Sequence, residues 1–296
     1  MHIGSGAFGD TALYDDASLW ESGVLYLGNH LIEAKVDKLI GSYAIRPGTV
    51  CIGDSAFSGC EELTNITIPE SVTHIGDYAF EECSGLTSIT IPNSVIYIGD
   101  SAFSDCKQLK NITIPESVTY IGSMVFHHTA LYDDECLWES GVLYLGNHLI
   151  KAKDSISGFY EIKPGTVSIG GSAFQSCHNL ERIALPESLI HIGPWAFSSC
   201  SSLMSINLPA GLTRIENGVF EDCSWLTGIT IPDSVTYIGE EAFAGCSELI
   251  SVTIPQSVTY IGDGAFAGCS RLTNGKIPTG VTYIGYHAFP ETLQEE

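Results

Sequence analysis

Between residues 57 and 80 the apolar positions change rhythm twice. Phe57, Cys60 and Leu63 fall at i, i+3 and i+6, which gathers them on one side of a short helical or 3-10 turn. Ile66 and Ile68 then alternate with Asn65 and Thr67, the period of two that marks a strand with one buried face. Pro69 has no N–H and ends the ladder. A second extended piece, Val72 to Ile75, runs to Gly76, where a turn residue with positive φ is expected.

This pattern recurs through the chain. Ile-Gly-x-x-Ala-Phe starts at 3, 52, 75, 98, 169, 238, 261 and 284, at 192 as Ile-Gly-Pro-Trp-Ala-Phe, and in weaker copies at 121 and 215. The spacing is 23 residues from 52 to 121 and from 169 to 284, and Pro69, Pro92, Pro115, Pro186, Pro209, Pro232, Pro255 and Pro278 share one phase. A unit this short cannot bury its own apolar face, so the copies must stack, each covering the Ile, Leu and Phe of its neighbour. One elongated repeat domain over 1–296 is expected.

Two longer segments interrupt the period and are near copies of each other, TALYDDASLWESGVLYLGNHLIEAK at 11–35 and TALYDDECLWESGVLYLGNHLIKAK at 129–153. In each, β-prone runs flank Gly-Asn, a two-residue hairpin signal. These segments are therefore expected to be irregular coils with hairpin protrusions, at about 11–51 and 129–168. The polar end at about 287–296 suits a cap, and the opening at Ile3-Gly4 suggests a half-coil or cap upstream.

Composition narrows the function. The chain has 35 Asp and Glu against 12 Lys and Arg, a net charge of −23, yet 44% of its residues are hydrophobic, too many for a disordered acidic tail. So few cations argue against nucleic-acid binding and against anionic membrane surfaces. No apolar run approaches the length of a spanning helix, and Met1-His2-Ile3-Gly4 has no signal-peptide character, so the expectation is a soluble chain without membrane insertion, its leader removed where the native protein has one. Nucleophile-elbow, zinc-protease, phosphate-loop and dinucleotide-loop motifs are all missing from the sequence. No enzyme and no cofactor is expected.

The pattern Leu-x-x-Ile-x-Ile-Pro-x-Ser-Val-x-x-Ile-Gly-x-x-Ala-Phe-x-x-Cys resembles the BspA-like subfamily of leucine-rich repeats, over most of the chain and most clearly over 52–126 and 169–289. The resemblance implies a leucine-rich-repeat solenoid of right-handed stacked coils with a parallel β-sheet, mainly β with short helical or 3-10 turns, in the α/β horseshoe class. It also implies a binding face without catalysis, in proteins that are mostly bacterial, located at the cell surface or secreted, and active in adhesion to host matrix proteins and other cells. Common leucine-rich repeats carry Asn or Cys just after the strand; this chain has Pro there, and its Cys lies before the strand. A repeat framework does not transmit the identity of the partner, because framework residues build the core and variable ones make the contacts.

Two surfaces are candidates. Outward positions of the main strand give Asn65, Thr67, Ser88, Thr90, Asn111, Thr113, Arg182, Ser205, Asn207, Thr230, Ser251 and Thr253, a small, flat, polar face for a protein partner such as a host matrix or cell-surface protein. The same pattern also suits a solvated strand that favours Thr for its β propensity. The position before Ile-Gly gives His74, Tyr97, Tyr120, His191, Arg214, Tyr237, Tyr260 and Tyr283, an aromatic stripe for a partner or for sugar rings, or else a half-buried ladder supporting the sheet. A purely structural spacer for another domain is the remaining alternative.

Other residues read as structure. Eight of the ten cysteines share one phase and are expected to form a ladder of buried free thiols, since in-register coils hold Cβ atoms too far apart for disulfides. Asp15-Asp16 and Asp133-Asp134 read as caps ahead of Trp20 and Trp138 rather than as calcium ligands. Asp77, Asp100 and Asp263 read as a solvated acidic surface.

Overall fold

The computed structural model describes residues 4, 6–9, 11–273 and 276–290; Ile3 and residues 291–296 of the expected terminal cap lie outside the described residues. The chain divides into two compact units, Met1–Trp138 and Glu139–Glu296. Each is a stack of coils with a parallel sheet, the solenoid that the repeat requires.

In the first unit the main strands Gly41–Ala44, Leu63–Thr67, Ser88–Thr90 and Asn111–Thr113 lie side by side. They run parallel and in phase with the repeat, Ser42 opposite Asn65 and Ser88 opposite Asn111. The short strands Cys51–Ile52, His74–Ile75, Tyr97–Ile98 and Tyr120–Ile121 form a second parallel sheet. The second unit repeats the plan, with main strands Ser157–Glu161, Asn179–Ala184, Ser205–Ile206, Gly228–Thr230 and Ser251–Thr253. Its short strands run from Ser168–Ile169 to Tyr283–Ile284.

The third leg of each coil is neither strand nor helix, and it too is laddered. Phe57 N–H donates to the Ala79 carbonyl at 2.7 Å and Phe80 N–H to Ala102 at 2.8 Å, so backbone groups pair from coil to coil while Cys60 N–H to Phe57 O, at 3.1 Å, closes a 3-10-type turn within the coil. Bending the chain this way requires left-handed residues just before Ala-Phe and just before Cys, among them Tyr78 and Glu82 with φ of 58°. Gly76 is not one of them. Its hydrogen in place of a side chain serves close packing, since a Cβ there would sit 2.5 Å from Asp54 Oδ1 and 2.8 Å from Asp54 N.

The core is a file of rings. Phe57, Phe80, Phe103 and Phe126 stack at centroid distances of 5.1, 5.2 and 5.7 Å with planes within 4° of parallel, all fully buried. Phe174, Phe197, Phe220, Phe243, Phe266 and Phe289 form the corresponding file in the second unit. Each file begins under a tilted tyrosine of the irregular coil, Tyr43 over Phe57 and Tyr160 over Phe174, both at 6.1 Å. Full burial of one such side chain contributes roughly 1.5–3 kcal/mol, and ring pairing about 0.5–1.5 kcal/mol more.

The two hairpins do not protrude. Val24–Leu27 pairs antiparallel with His30–Ala34, which pairs in parallel with Cys51–Ile52; in the second unit Val142–Leu145, His148–Ala152 and Ser168–Ile169 do the same. Val24, Leu25, Leu31, Val142, Leu143 and Leu149 have no exposed surface. These side chains are too apolar to stand in water, so each hairpin joins the edge of the short-strand sheet.

Candidate functional site

Rows of polar side chains in the repeat hold one coil to the next. The carboxylate of Asp54 accepts Asp77 N–H at 3.0 Å, Asp77 accepts Asp100 N–H at 2.9 Å, and Asp100 accepts Ser123 N–H at 2.7 Å. Asn217 and Asp263 do the same for Glu240 and Tyr286. These side chains are thus rungs of a ladder: Asp77 and Asp100 are half-buried rather than the solvated surface expected of them, while Asp263 is exposed as expected, and loss of water around Asp100 raises its pKa above the ordinary carboxylate value. Serines of Pro-x-Ser bond the preceding coil, Ser71 to Thr49 O at 2.7 Å and Ser94 to Val72 O at 2.6 Å. Thr73, Thr259 and Thr282 do likewise along the next row.

The cysteines are buried and free, apart from the exposed Cys136. Their thiols are more than small apolar groups: Cys83, Cys106, Cys200, Cys223, Cys246 and Cys269 donate to the Phe carbonyl of the preceding coil at 3.1–3.2 Å. Burial pushes the Cys60 and Cys177 thiols up to about 11 and the inner ones further. Asp16 and Asp134 cap the following 3-10 turns, accepting Ser18 N–H at 2.9 Å and Cys136 N–H at 3.0 Å.

The main-strand face is different. Asn65, Thr67, Ser88, Thr90, Asn111 and Thr113 in the first unit, and Arg182, Ser205, Asn207, Thr230, Ser251 and Thr253 in the second, are all exposed. Register sets them in rows along each sheet: Asn111 lies opposite Ser88, Thr113 opposite Thr90, Ser251 opposite Gly228 and Thr253 opposite Thr230. Among the described residues none of the twelve side chains takes part in a hydrogen bond or ion pair.

The aromatic stripe is packed against itself. His74 stacks on Tyr97 at 5.7 Å and Tyr97 on Tyr120 at 4.3 Å; Tyr237, Tyr260 and Tyr283 stack at 4.7 and 4.5 Å. All of these rings are half-buried except the exposed Tyr283. Arg214 lies 3.7 Å over Tyr237 and bonds Glu216 at 2.8 Å, with the half-buried His191 beside it, its pKa driven down to about 3 by loss of water and by Arg214. The ring faces that a sugar would use lie mostly against one another. Beside the first stack is a cleft of about 430 Å³ lined by His74, Asp77, Tyr97, Asp100 and Tyr120.

The strand face contains residues that the repeat pattern did not supply. Gly41–Ala44 and Ser157–Glu161 are main strands of the irregular coils, and the second places Phe159 opposite Arg182 and Glu161 opposite Ala184. The signal was present as a count: Asn65 and Ser88 lie ten residues before the Ile of Ile-Gly, and Ser42 and Phe159 stand in the same relation to Ile52 and Ile169. The irregular coils also share a clamp. Arg46 lies 4.2 Å over Tyr26 and bonds Glu21 at 2.7 Å, and Lys163 lies 4.9 Å over Tyr144 and bonds Glu139 at 2.7 Å.

The family model of the BspA type leucine rich repeat region matches residues 38–155 and 167–294, in six copies. Among solved structures, a leucine rich cell surface protein of Faecalibacterium prausnitzii A2-165 is 33% identical, over 84% of this chain and 60% of its own, with a TM-score of 0.46. A leucine-rich repeat protein of Bacteroides ovatus is 28% identical over 90% and 65%, TM-score 0.44, and one of Eubacterium ventriosum 19% over 91% and 93%, TM-score 0.45. The chain spans less than two thirds of the first two. No curated protein matches it.

Proposed function

Because the chain belongs to the BspA-type leucine-rich-repeat proteins, we propose that it is a non-catalytic interaction module whose main-strand face docks a protein partner at a cell surface. One observation carries this reading: the Asx, serine and threonine rows of the coil are used to bind neighbouring coils, whereas the twelve on this face are exposed, set in rows along the sheets, and form no such bonds. Hydrogen-bonding groups held on a preformed sheet lose little entropy when a partner arrives, which favours association. Host matrix and other cell-surface proteins are the partner class proposed, and surface display or secretion the setting.

The test is binding of the full chain to immobilised matrix proteins and to a glycan array in parallel, with Asn65→Arg/Thr90→Arg and Ser205→Glu/Thr230→Glu variants. Selective protein binding that the variants lose supports docking on the strand face. Glycan binding lost instead in Tyr97→Ala/Tyr120→Ala or Tyr237→Ala/Tyr260→Ala overturns it in favour of a carbohydrate-binding stripe, and indifference to every surface variant overturns it in favour of a spacer.

A further inference from the structure

We infer that Phe159 and Arg182 are the anchor of the docking face, and that the partner segment seated there sets an apolar side chain against Phe159 and a carboxylate on Arg182. The inference rests on the strand-face reading above and adds the chemistry of the ligand.

Arginines in this chain find their own carboxylates. Of the four, Arg46 pairs with Glu21, Arg214 with Glu216 and Arg271 with Glu248. Arg182 has neither ion pair nor hydrogen bond among the described residues, although the chain holds 35 acidic side chains. It is exposed on the sheet, and its guanidinium lies 6.0 Å from the centre of the Phe159 ring on the neighbouring strand. Phe159 is 57% exposed in the middle of a strand whose next residue, Tyr160, packs into the core.

The two stand over a shallow groove of about 340 Å³ whose lining mixes Leu185, Leu208 and Pro209 with Ser205, Asn207 and Glu187, the last forming no ion pair with Arg182. An aromatic and an arginine side by side are among the residue types that carry most of the energy at protein interfaces, and Leu185, Leu208 and Pro209 supply the apolar part of the seat. The guanidinium lies at the outer edge of cation–π range from the ring, and its N–H fork is left to meet a carboxylate in two parallel bonds. A chain of net charge −23 repels acidic segments elsewhere, so the lone unpaired arginine also fixes where such a segment sits. The equivalent positions of the first unit are Ser42 and Asn65, which offer neither an apolar anchor nor a cation.

The experiment selects a phage-displayed random peptide library on the immobilised full chain, then measures synthetic copies of the enriched peptides against wild type, Phe159→Ser, Arg182→Glu, Arg182→Lys and Asn65→Arg/Thr90→Arg. Thermal unfolding of each variant checks that it remains folded. The expected result is enrichment of Asp or Glu within two positions of an apolar residue, with affinity falling at least tenfold in Phe159→Ser and Arg182→Glu and by less in Arg182→Lys and in the first-unit variant. Peptides without a carboxylate, or equal affinity for Arg182→Glu, overturn the anchor. Loss confined to Asn65→Arg/Thr90→Arg overturns it while leaving strand-face docking in place, and indifference to every face variant overturns both.

Discussion

The thiol of Cys106 donates to the carbonyl oxygen of Phe80, 3.1 Å away and 26 residues earlier, in the coil beneath. The same bond recurs wherever two regular coils meet, which explains a cysteine where leucine-rich repeats need only a small apolar group. Thiols so held are buried and resist ionisation. In the folded chain a thiol-reactive disulfide reagent is expected to modify Cys136 quickly and the other nine cysteines only on unfolding; rapid reaction of more than one thiol in native protein contradicts this.

Asp100→Ala leaves Ser123 N–H without its acceptor and is expected to lower stability by about 1–3 kcal/mol in urea unfolding, whereas Asp100→Asn keeps an acceptor oxygen. Because burial raises the folded pKa of Asp100 above its unfolded value, the native state binds the extra proton and stability from this group falls as pH rises through that window. Wild type should therefore gain on Asp100→Asn as pH drops towards 4. A constant difference between them across pH 4–7 removes the desolvation argument.

His191 acts in the opposite direction. Its folded pKa lies far below the ordinary histidine value of 6.5, so the unfolded chain takes up a proton that the native one refuses. Wild type is expected to lose stability relative to His191→Gln as pH falls from about 7 to 5. Parallel melting curves for the two proteins over that range count against a neutral His191.

Phe103→Ala removes one ring from the middle of a file in which both ring faces are covered. A loss of about 3–5 kcal/mol is expected, since coils locked by backbone ladders above and below cannot collapse into the gap. Calorimetry showing a cost no greater than that of an exposed Thr67→Ala control contradicts a rigid file.

Glu82 holds a left-handed conformation, and the corresponding position carries glycine at Gly59, Gly245 and Gly268. Glu82→Gly should be neutral to within about 0.5 kcal/mol, because relief of the left-handed strain offsets the added chain freedom, while Glu82→Val should cost more than ~1 kcal/mol. Equal stability of the two variants would mean that the turn relaxes away from this geometry.

A net charge of −23 steers partners whose surface is basic overall, even where one carboxylate makes the local anchor. Association with such a partner should slow as salt rises from 50 to about 500 mM while dissociation changes little, measured by surface plasmon resonance. An association rate independent of salt removes steering.

Much of the fold was legible because the solenoid repeats its arithmetic. Phe57, Cys60, Leu63, Ile66 and Ile68 recur in phase, and periodicity alone places them inward and Asn65 and Thr67 outward. What escaped were functions of side chains that need a neighbour 23 or 26 residues away: the backbone bonds made by Asp77 and the thiol bond made by Cys106. Gly76 was misread for the same reason, its need arising from the coil beneath rather than from its own torsions. Phe159 was missed because the irregular coil hid its phase, and only its distance from Ile169 restores it.

The Asx, serine and cysteine ladders have a further consequence. Neighbouring coils that carry all three, such as those of Asp77 and Asp100, offer the same donors to the coil beneath and the same acceptors to the coil above, so an extra copy of 23 residues inserted between them meets matching groups on both sides. Unequal crossing-over between neighbouring repeats would then lengthen or shorten the chain in whole coils without redesigning its interior. Each coil gained brings two fresh outward positions on the strand face, so the recognition surface can diversify by recombination at a pace that point mutation of a conventional globular core would not permit.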